Sequence, residues 1–159
     1  MAKARDVDLD PDEPFGAAAA RTVEVRAAEL FEHMAGVLDT EDIERVHAMR
    51  VASRRLRAVL EIFASCFDRD LHRDVLRDVK GIADALGERR DPDVHLEALA
   101  ALEARVPEDQ RGGVHHLAEL QRRRQEAGND VLAAALQDMT DSDLRGRLQA
   151  LVAEPEEVA

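Results

Sequence analysis

Apolar side chains recur along this chain at intervals of three and four residues, which is the spacing of one helix face. Within residues 41–67, Met49, Leu56, Leu60 and Phe63 centre on one side of a helix when each residue advances by about 100°. Glycines are few and runs of β-branched residues are almost absent, so the chain has little from which to build strands. The sequence therefore predicts an all-α protein, an antiparallel helical bundle of about four to six helices.

Composition changes at both ends of the chain. Residues 1–16 are charged, and they contain Pro14 before ending at Gly16, so they are predicted to form a disordered acidic tail. Residues 17–152 carry the helical pattern and form one predicted domain. Residues 153–159 are an acidic C-terminal tail.

Turn and capping signals divide the helical region. Gly87 is predicted to follow one helix, while Asp91 caps the next helix and Pro92 occupies its first position. Gly112 and Gly113 are predicted to separate two later segments. The predicted helices span residues 17–38, 41–67, 70–86, 93–105, 114–137 and 142–152.

A cluster of basic residues lies inside an acidic protein. The segment from His47 to Arg57 carries four arginines and a histidine but no acidic residue, in a chain whose formal net charge is −12. By the helical count, His47, Arg50, Arg54 and Arg57 share an arc of about 80° on the flank of the apolar face. Like charges at these spacings cost about 0.2 to 0.5 kcal/mol per pair. This repulsion predicts that an anionic ligand relieves it.

A second basic stripe is predicted on the helix at 70–86. Arg73, Arg77 and Lys80 point away from the apolar side of that helix. Asp74 and its acidic neighbours at 70 and 78 are close enough for ordinary surface ion pairs, so this stripe also has a purely structural interpretation.

The distribution of charge narrows the class of ligand. Net charge is −5 over residues 1–40, +1 over 41–90 and −8 over 91–159. Because the body is acidic and has no Trp or Tyr for base stacking, nucleic-acid binding is unlikely. A focused positive patch can still select a compact polyanion.

Several other classes of function find no support in the sequence. Cys66 is the single cysteine, so neither an intramolecular disulfide nor a CxxC metal site exists. No apolar run approaches the roughly 20 residues that span a bilayer, and we expect a cytoplasmic protein outside the membrane. No nucleotide-binding or hydrolase motif is present, so we expect no enzyme and no cofactor. The remaining alternatives are a divalent-metal protein, although its histidines are poorly spaced for ligation, and a structural bundle without a ligand.

Two stretches, in this order along the chain, resemble the CHAD family, the conserved-histidine α-helical domain. They are VHAMRVASRRLRAVLEIF, which begins at Val46, and DVKGIADALGERRDPDV, which begins at Asp78. The resemblance runs from about residue 39 to 151, and it implies an all-helical bundle that binds inorganic polyphosphate in a basic channel, in some members on polyphosphate granules. Typical members have two such bundles around the channel. This chain resembles one half, which implies a homodimer.

The resemblance also implies a set of binding residues, to which the stripe at 70–86 adds Arg73. We expect binding to be tighter at pH 6 than at pH 8, because a phosphate near His47 favours the protonated imidazole. The candidate polyphosphate-binding residues are His47, Arg50, Arg54, Arg55, Arg57, Arg73, Arg77, Lys80, Arg89, Arg90, Arg123 and Arg124.

Overall fold

Five α-helices make up most of the chain in the computed structural model, which describes residues 3–156. The structure is 78% helical and contains no strand among the described residues. The predicted all-α bundle is therefore confirmed. The helices are α1 (Phe15–Glu32), α2 (Ile43–Ile62), α3 (Arg69–Glu103), α4 (Arg111–Asp141) and α5 (Leu144–Ala153).

Neighbouring helices in the sequence pack against each other. Helix α3 lies between α2 and α4, and α2 packs against α1, while α5 closes the bundle against α1 and α3. The core is one cluster that holds the apolar faces of these helices, with Leu30, Leu56 and Leu132 among its fully buried side chains. Short connections force antiparallel neighbours. The turn between α1 and α2 contains Gly36 at φ 72°, a left-handed conformation that glycine adopts without steric cost.

Helix α3 is continuous across the region where a break was predicted. It runs for 35 residues, about 52 Å at 1.5 Å per residue, through Gly87, Asp91 and Pro92. The predicted cap at Asp91 is therefore wrong, since that residue is an exposed position inside the helix. Pro92 removes one helical hydrogen bond to the carbonyl of Glu88, but it is buried against α4 rather than exposed at a helix start.

Helix α3 contacts α4 closely through this region. A Cβ atom added at Gly128 of α4 would lie 3.0 Å from the Cα atom of Arg89, so a larger residue would require the two backbones to move apart by a few tenths of an ångström. Hydrogen bonds between α3 and α4, described below, cross the same contact. Tertiary packing therefore overrides the local signals for a helix end.

Other helix ends also differ from the predicted positions. Helix α1 ends at Glu32 instead of residue 38, because the following residues form the turn around Gly36. Helix α4 begins at Arg111 instead of 114 and includes Gly112 and Gly113 in its first turn. A Cβ atom added at either glycine would meet nothing within 4 Å, so close packing does not require glycine at these positions.

The segment before α1 lies along that helix. The backbone N–H of Arg5 donates to the Glu29 carboxylate at 2.5 Å, and Arg21 donates to the carbonyl of Asp8 at 2.9 Å. Helix α1 begins at Phe15, inside the predicted tail 1–16, whose disorder otherwise stays a prediction. Of the two predicted tails, residues 1–2 and 157–159 lie outside the described residues.

Candidate anion-binding surface

The basic cluster of α2 lies on the side of the helix that faces away from the core. Met49 and Leu56 are fully buried on the inner side of α2. His47 and Arg50 are half-buried and Arg54 is exposed on the outer side. The fold thus keeps these three cationic or potentially cationic groups at a surface, as the helical register predicts.

These three side chains have no partner among the residues that the structure describes. Across residues 3–156, the side chains of His47, Arg50 and Arg54 form no hydrogen bond and no ion pair with another residue. In a chain with a net charge of −12, acidic side chains are abundant, yet none of those within residues 3–156 forms an ion pair with these groups. Their positive charge therefore stays available to an external anion. We call His47, Arg50 and Arg54 the open basic stripe.

Next to the open basic stripe, a carboxylate bridges α2 and α3. The Nε atom of Arg57 lies 3.0 Å from Glu61, and the Nζ atom of Lys80 lies 3.2 Å from the same carboxylate oxygen. Hydrogen bonds from Arg57 and then Lys80 hold the pKa of Glu61 below its usual value. The shared carboxylate thereby joins Lys80 of α3 to Arg57 of α2.

Arg55 lies on the α1 side of α2, where its charge acts on Glu29. The Glu29 side chain is buried, which alone raises its pKa. Hydrogen bonds from the Arg5 backbone and from Arg26, together with the charges of Arg26 and Arg55, outweigh burial and lower the pKa. Arg55 therefore helps to hold a buried carboxylate between α1 and α2.

Two arginines of the second basic stripe pair with acidic residues of their own helix, α3. Arg73 lies 2.9 Å from Asp70, and Arg77 lies 3.0 Å from Asp74 and 3.5 Å from Asp78. These are exposed pairs at helical spacing, the structural interpretation that the sequence offered for this stripe. Arg73 and Arg77 differ in this respect from the open basic stripe.

Arg89 is an interior residue rather than part of a ligand surface. Its side chain is 0% exposed, and it donates from Nη1 to Asp93 at 2.5 Å and from Nε to Asn129 of α4 at 2.6 Å. Gln125 of α4 donates to the same Asp93 at 2.7 Å. Arg89 was predicted to bind polyphosphate, but α3 continues and turns its side chain toward α4, so the structure does not place it at the α2 surface.

Arg90 lies at the edge of the same buried network. Its Nη1 atom is 3.6 Å from Asp93, its Nη2 atom is 3.8 Å from Glu97, and its side chain is 12% exposed. It shares the counter-charge of Arg89 instead of extending the basic surface. Once the helix is known to be unbroken, the four-residue spacing of Arg89 and Asp93 indicates that these two side chains pair.

The predicted arginines of α4 are separated from α2 by α3. Arg123 and Arg124 are both exposed. Arg124 lines a cavity of about 370 Å³ between α3 and α4, together with Asp91, His95 and Val131. The two arginines and the open basic stripe therefore lie on helices that do not pack directly against each other.

The histidines outside the open basic stripe have partners within the protein or stand apart from one another. The Nε2 atom of the buried His72 lies 2.8 Å from the carbonyl oxygen of Leu60. His115 lies 2.7 Å from Glu103, whose pKa it lowers by hydrogen bonding. In the part of the chain that is described, no group of three or more His, Cys, Asp or Glu side chains could hold a metal ion. None of the described helices has the length and apolar character needed to cross a bilayer.

Comparison with known proteins places these features in a family. A family model of the CHAD domain matches residues 21–159, which includes all of α2 to α5. The chain belongs to the CHAD-domain family. No curated protein matches the chain. In this CHAD domain, the first motif stretch lies mainly on α2 with the open basic stripe, and the second lies wholly within α3.

Proposed function

We propose that this CHAD domain binds inorganic polyphosphate on the surface of α2 and the adjoining edge of α3. The CHAD family is associated with binding of polyphosphate and triphosphate. The observation that carries the proposal for this chain is the open basic stripe, His47, Arg50 and Arg54, which has no protein partner within residues 3–156.

The chemistry of the stripe fits a chain of phosphates. Guanidinium groups donate paired hydrogen bonds to phosphate oxygens, and a planar fork suits this better than an ammonium group. Arg50 and Arg54 lie one helical turn apart, about 6 Å along the axis, so a flexible polyanion can contact both in succession. His47 adds charge when it is protonated.

Arg57 and Lys80 extend the stripe by exchanging partners. Both contact Glu61, and both are about 40% exposed. A phosphate oxygen can replace the Glu61 carboxylate at these cations, since exposed ion pairs of this kind are weak, about 0 to 1 kcal/mol as a class. Polyphosphate binding would therefore join α2 and α3 through five cationic groups.

We further propose binding without turnover. The carboxylate nearest the stripe, Glu61, is held by two cations and so is poorly placed to act as a base or a metal ligand. Incubation of the purified protein with polyphosphate should therefore release no orthophosphate. Release that depends on the protein would overturn this part of the proposal. We also propose a cytoplasmic location, with recruitment to polyphosphate granules.

A gel-shift assay with matched charge reversals tests the binding. Arg50→Glu/Arg54→Glu removes the open guanidinium groups, whereas Arg73→Glu/Arg77→Glu makes the same change of net charge at arginines that already have Asp partners. We expect the first double variant to lose the polyphosphate shift and the second to retain most of it. Equal loss in both variants would mean that only overall charge matters, and retention in both would overturn the proposed site.

A further inference from the structure

Helix α4 carries an exposed apolar seam that the bundle does not cover. Successive seam residues are separated alternately by three and four positions, which is the heptad spacing of a coiled coil. Leu117, Leu120 and Val131 are 48%, 40% and 43% exposed. In order, the seam consists of Leu117, Leu120, Arg124, Ala127, Val131 and Ala134.

The seam is distinct from the face that α4 uses within the bundle. Val114, Gln125 and Leu132 are buried on the inner side of the helix. The seam lies on the flank of that side, next to the cavity between α3 and α4 that Arg124 and Val131 help to line. A second helix laid along the seam would therefore bury apolar surface and fill part of this cavity.

We propose that the occupant of this seam is α4 of a second copy of the chain, in an antiparallel pair. In one symmetric alignment, each large seam residue faces a small or medium one: Leu117 faces Ala134, Leu120 faces Val131, and Arg124 faces Ala127. Arg124 then avoids its own copy, and it lines the same cavity as Asp91. Such self-complementarity is what a two-fold interface requires.

Charges beside the seam agree with the same alignment. Arg123 and Asp130 precede the seam residues Arg124 and Val131, so both occupy the same flanking position of the heptad. In an antiparallel pair, flanking positions of this kind face each other, which brings Arg123 of each copy to Asp130 of the other. Both side chains are exposed, and neither has an ion-pair partner in the described range 3–156. The proposal accounts for Arg123 and Arg124 without any role in phosphate binding.

Sedimentation equilibrium across the micromolar range tests whether the seam joins two chains. We expect the wild type to form dimers and Leu120→Glu to weaken the dimer by at least roughly tenfold, the loss typical of a central interface residue. Ile62→Glu is the matched control, because Ile62 is 69% exposed at the end of α2. A monomeric wild type, or a dimer that Leu120→Glu leaves intact, would overturn the proposal.

Disulfide trapping tests the alignment. In the proposed pair, Leu120 of one copy faces Val131 of the other, while the two copies of Leu120 lie about 16 Å apart along the axis. The double variant Leu120→Cys/Val131→Cys should therefore give a covalent dimer on oxidation, and each single variant should not, because cysteines whose Cα atoms are farther apart than about 7 Å cannot bond. Buried Cys66 stays in place, with the wild type as its control. Trapping by a single variant indicates a parallel pair and overturns the alignment. Both tests use the protein without polyphosphate, so their outcome is separate from that of the binding assay.

Discussion

The Glu61 carboxylate is expected to compete with polyphosphate for two cations. It lies 3.0 Å from Arg57 and 3.2 Å from Lys80, and its lowered pKa keeps it ionised throughout the neutral pH range. The substitution Glu61→Gln keeps the shape of the side chain and removes its charge. We therefore expect Glu61→Gln to bind polyphosphate more tightly than the wild type, with Arg57 and Lys80 released to phosphate.

The size of the effect follows from counterion release. For single-stranded nucleic acids, each phosphate that a protein neutralises adds about 0.7 to the magnitude of the slope of log K against log salt. If polyphosphate behaves similarly, two additional cationic contacts steepen the slope by about 1.4. The gain in affinity should then be largest at low salt and should shrink as salt is added.

Calorimetric titrations with polyphosphate over a series of salt concentrations measure this slope. Glu103→Gln is the matched control, because Glu103 is also a partly exposed carboxylate with a lowered pKa but contacts His115 in the hairpin between α3 and α4. We expect it to change the slope little. The reasoning is refuted if Glu61→Gln leaves both affinity and slope at their wild-type values, or if Glu103→Gln raises them equally.

Three further predictions concern pH and stability. Polyphosphate binding should be tighter at pH 6 than at pH 8 because phosphate favours protonated imidazole, and His47→Gln should remove most of this difference in calorimetry. Arg89→Met should lower the free energy of unfolding by about 3 to 5 kcal/mol in urea titrations, because it leaves buried Asp93 without its main counter-charge; a loss under about 1 kcal/mol would contradict the buried pair. The lowered pKa of Glu29 means that its contribution to stability is complete above the unfolded-state pKa, near 4.5, and is lost as pH falls through the folded-state pKa. Glu29→Gln should thus weaken the dependence of stability on pH in the acidic range, and an unchanged acid-unfolding profile would count against this role.

The sequence predicts the helical class and the common face of the α2 basic residues because both depend on local periodicity. His47, Arg50 and Arg54 share a face on any straight helix, and the ion pairs of Arg73 and Arg77 lie three residues apart. Such features need no knowledge of the other helices.

The burial of Arg89 could not be predicted from local periodicity. Gly87 and Pro92 are local signals for a helix end, and only contact with α4 overrides them. The residue that accepts a hydrogen bond from Arg89, Asn129, lies 40 positions later in the chain. Burial of an arginine depends on this long-range pairing, which hydrophobic spacing does not reveal.

The unbroken length of α3 has a mechanical consequence. A break near Gly87 would have allowed the half that carries Lys80 to swivel against the half that pairs with α4, whereas a single rod fixes their separation at about 1.5 Å per residue. If polyphosphate binds as proposed, adjustment to it would come from the polymer and from side chains such as Arg57 and Lys80, without a bend near Gly87. A displacement of the connection between α3 and α4 would therefore pass along one continuous helix to the segment that carries Lys80.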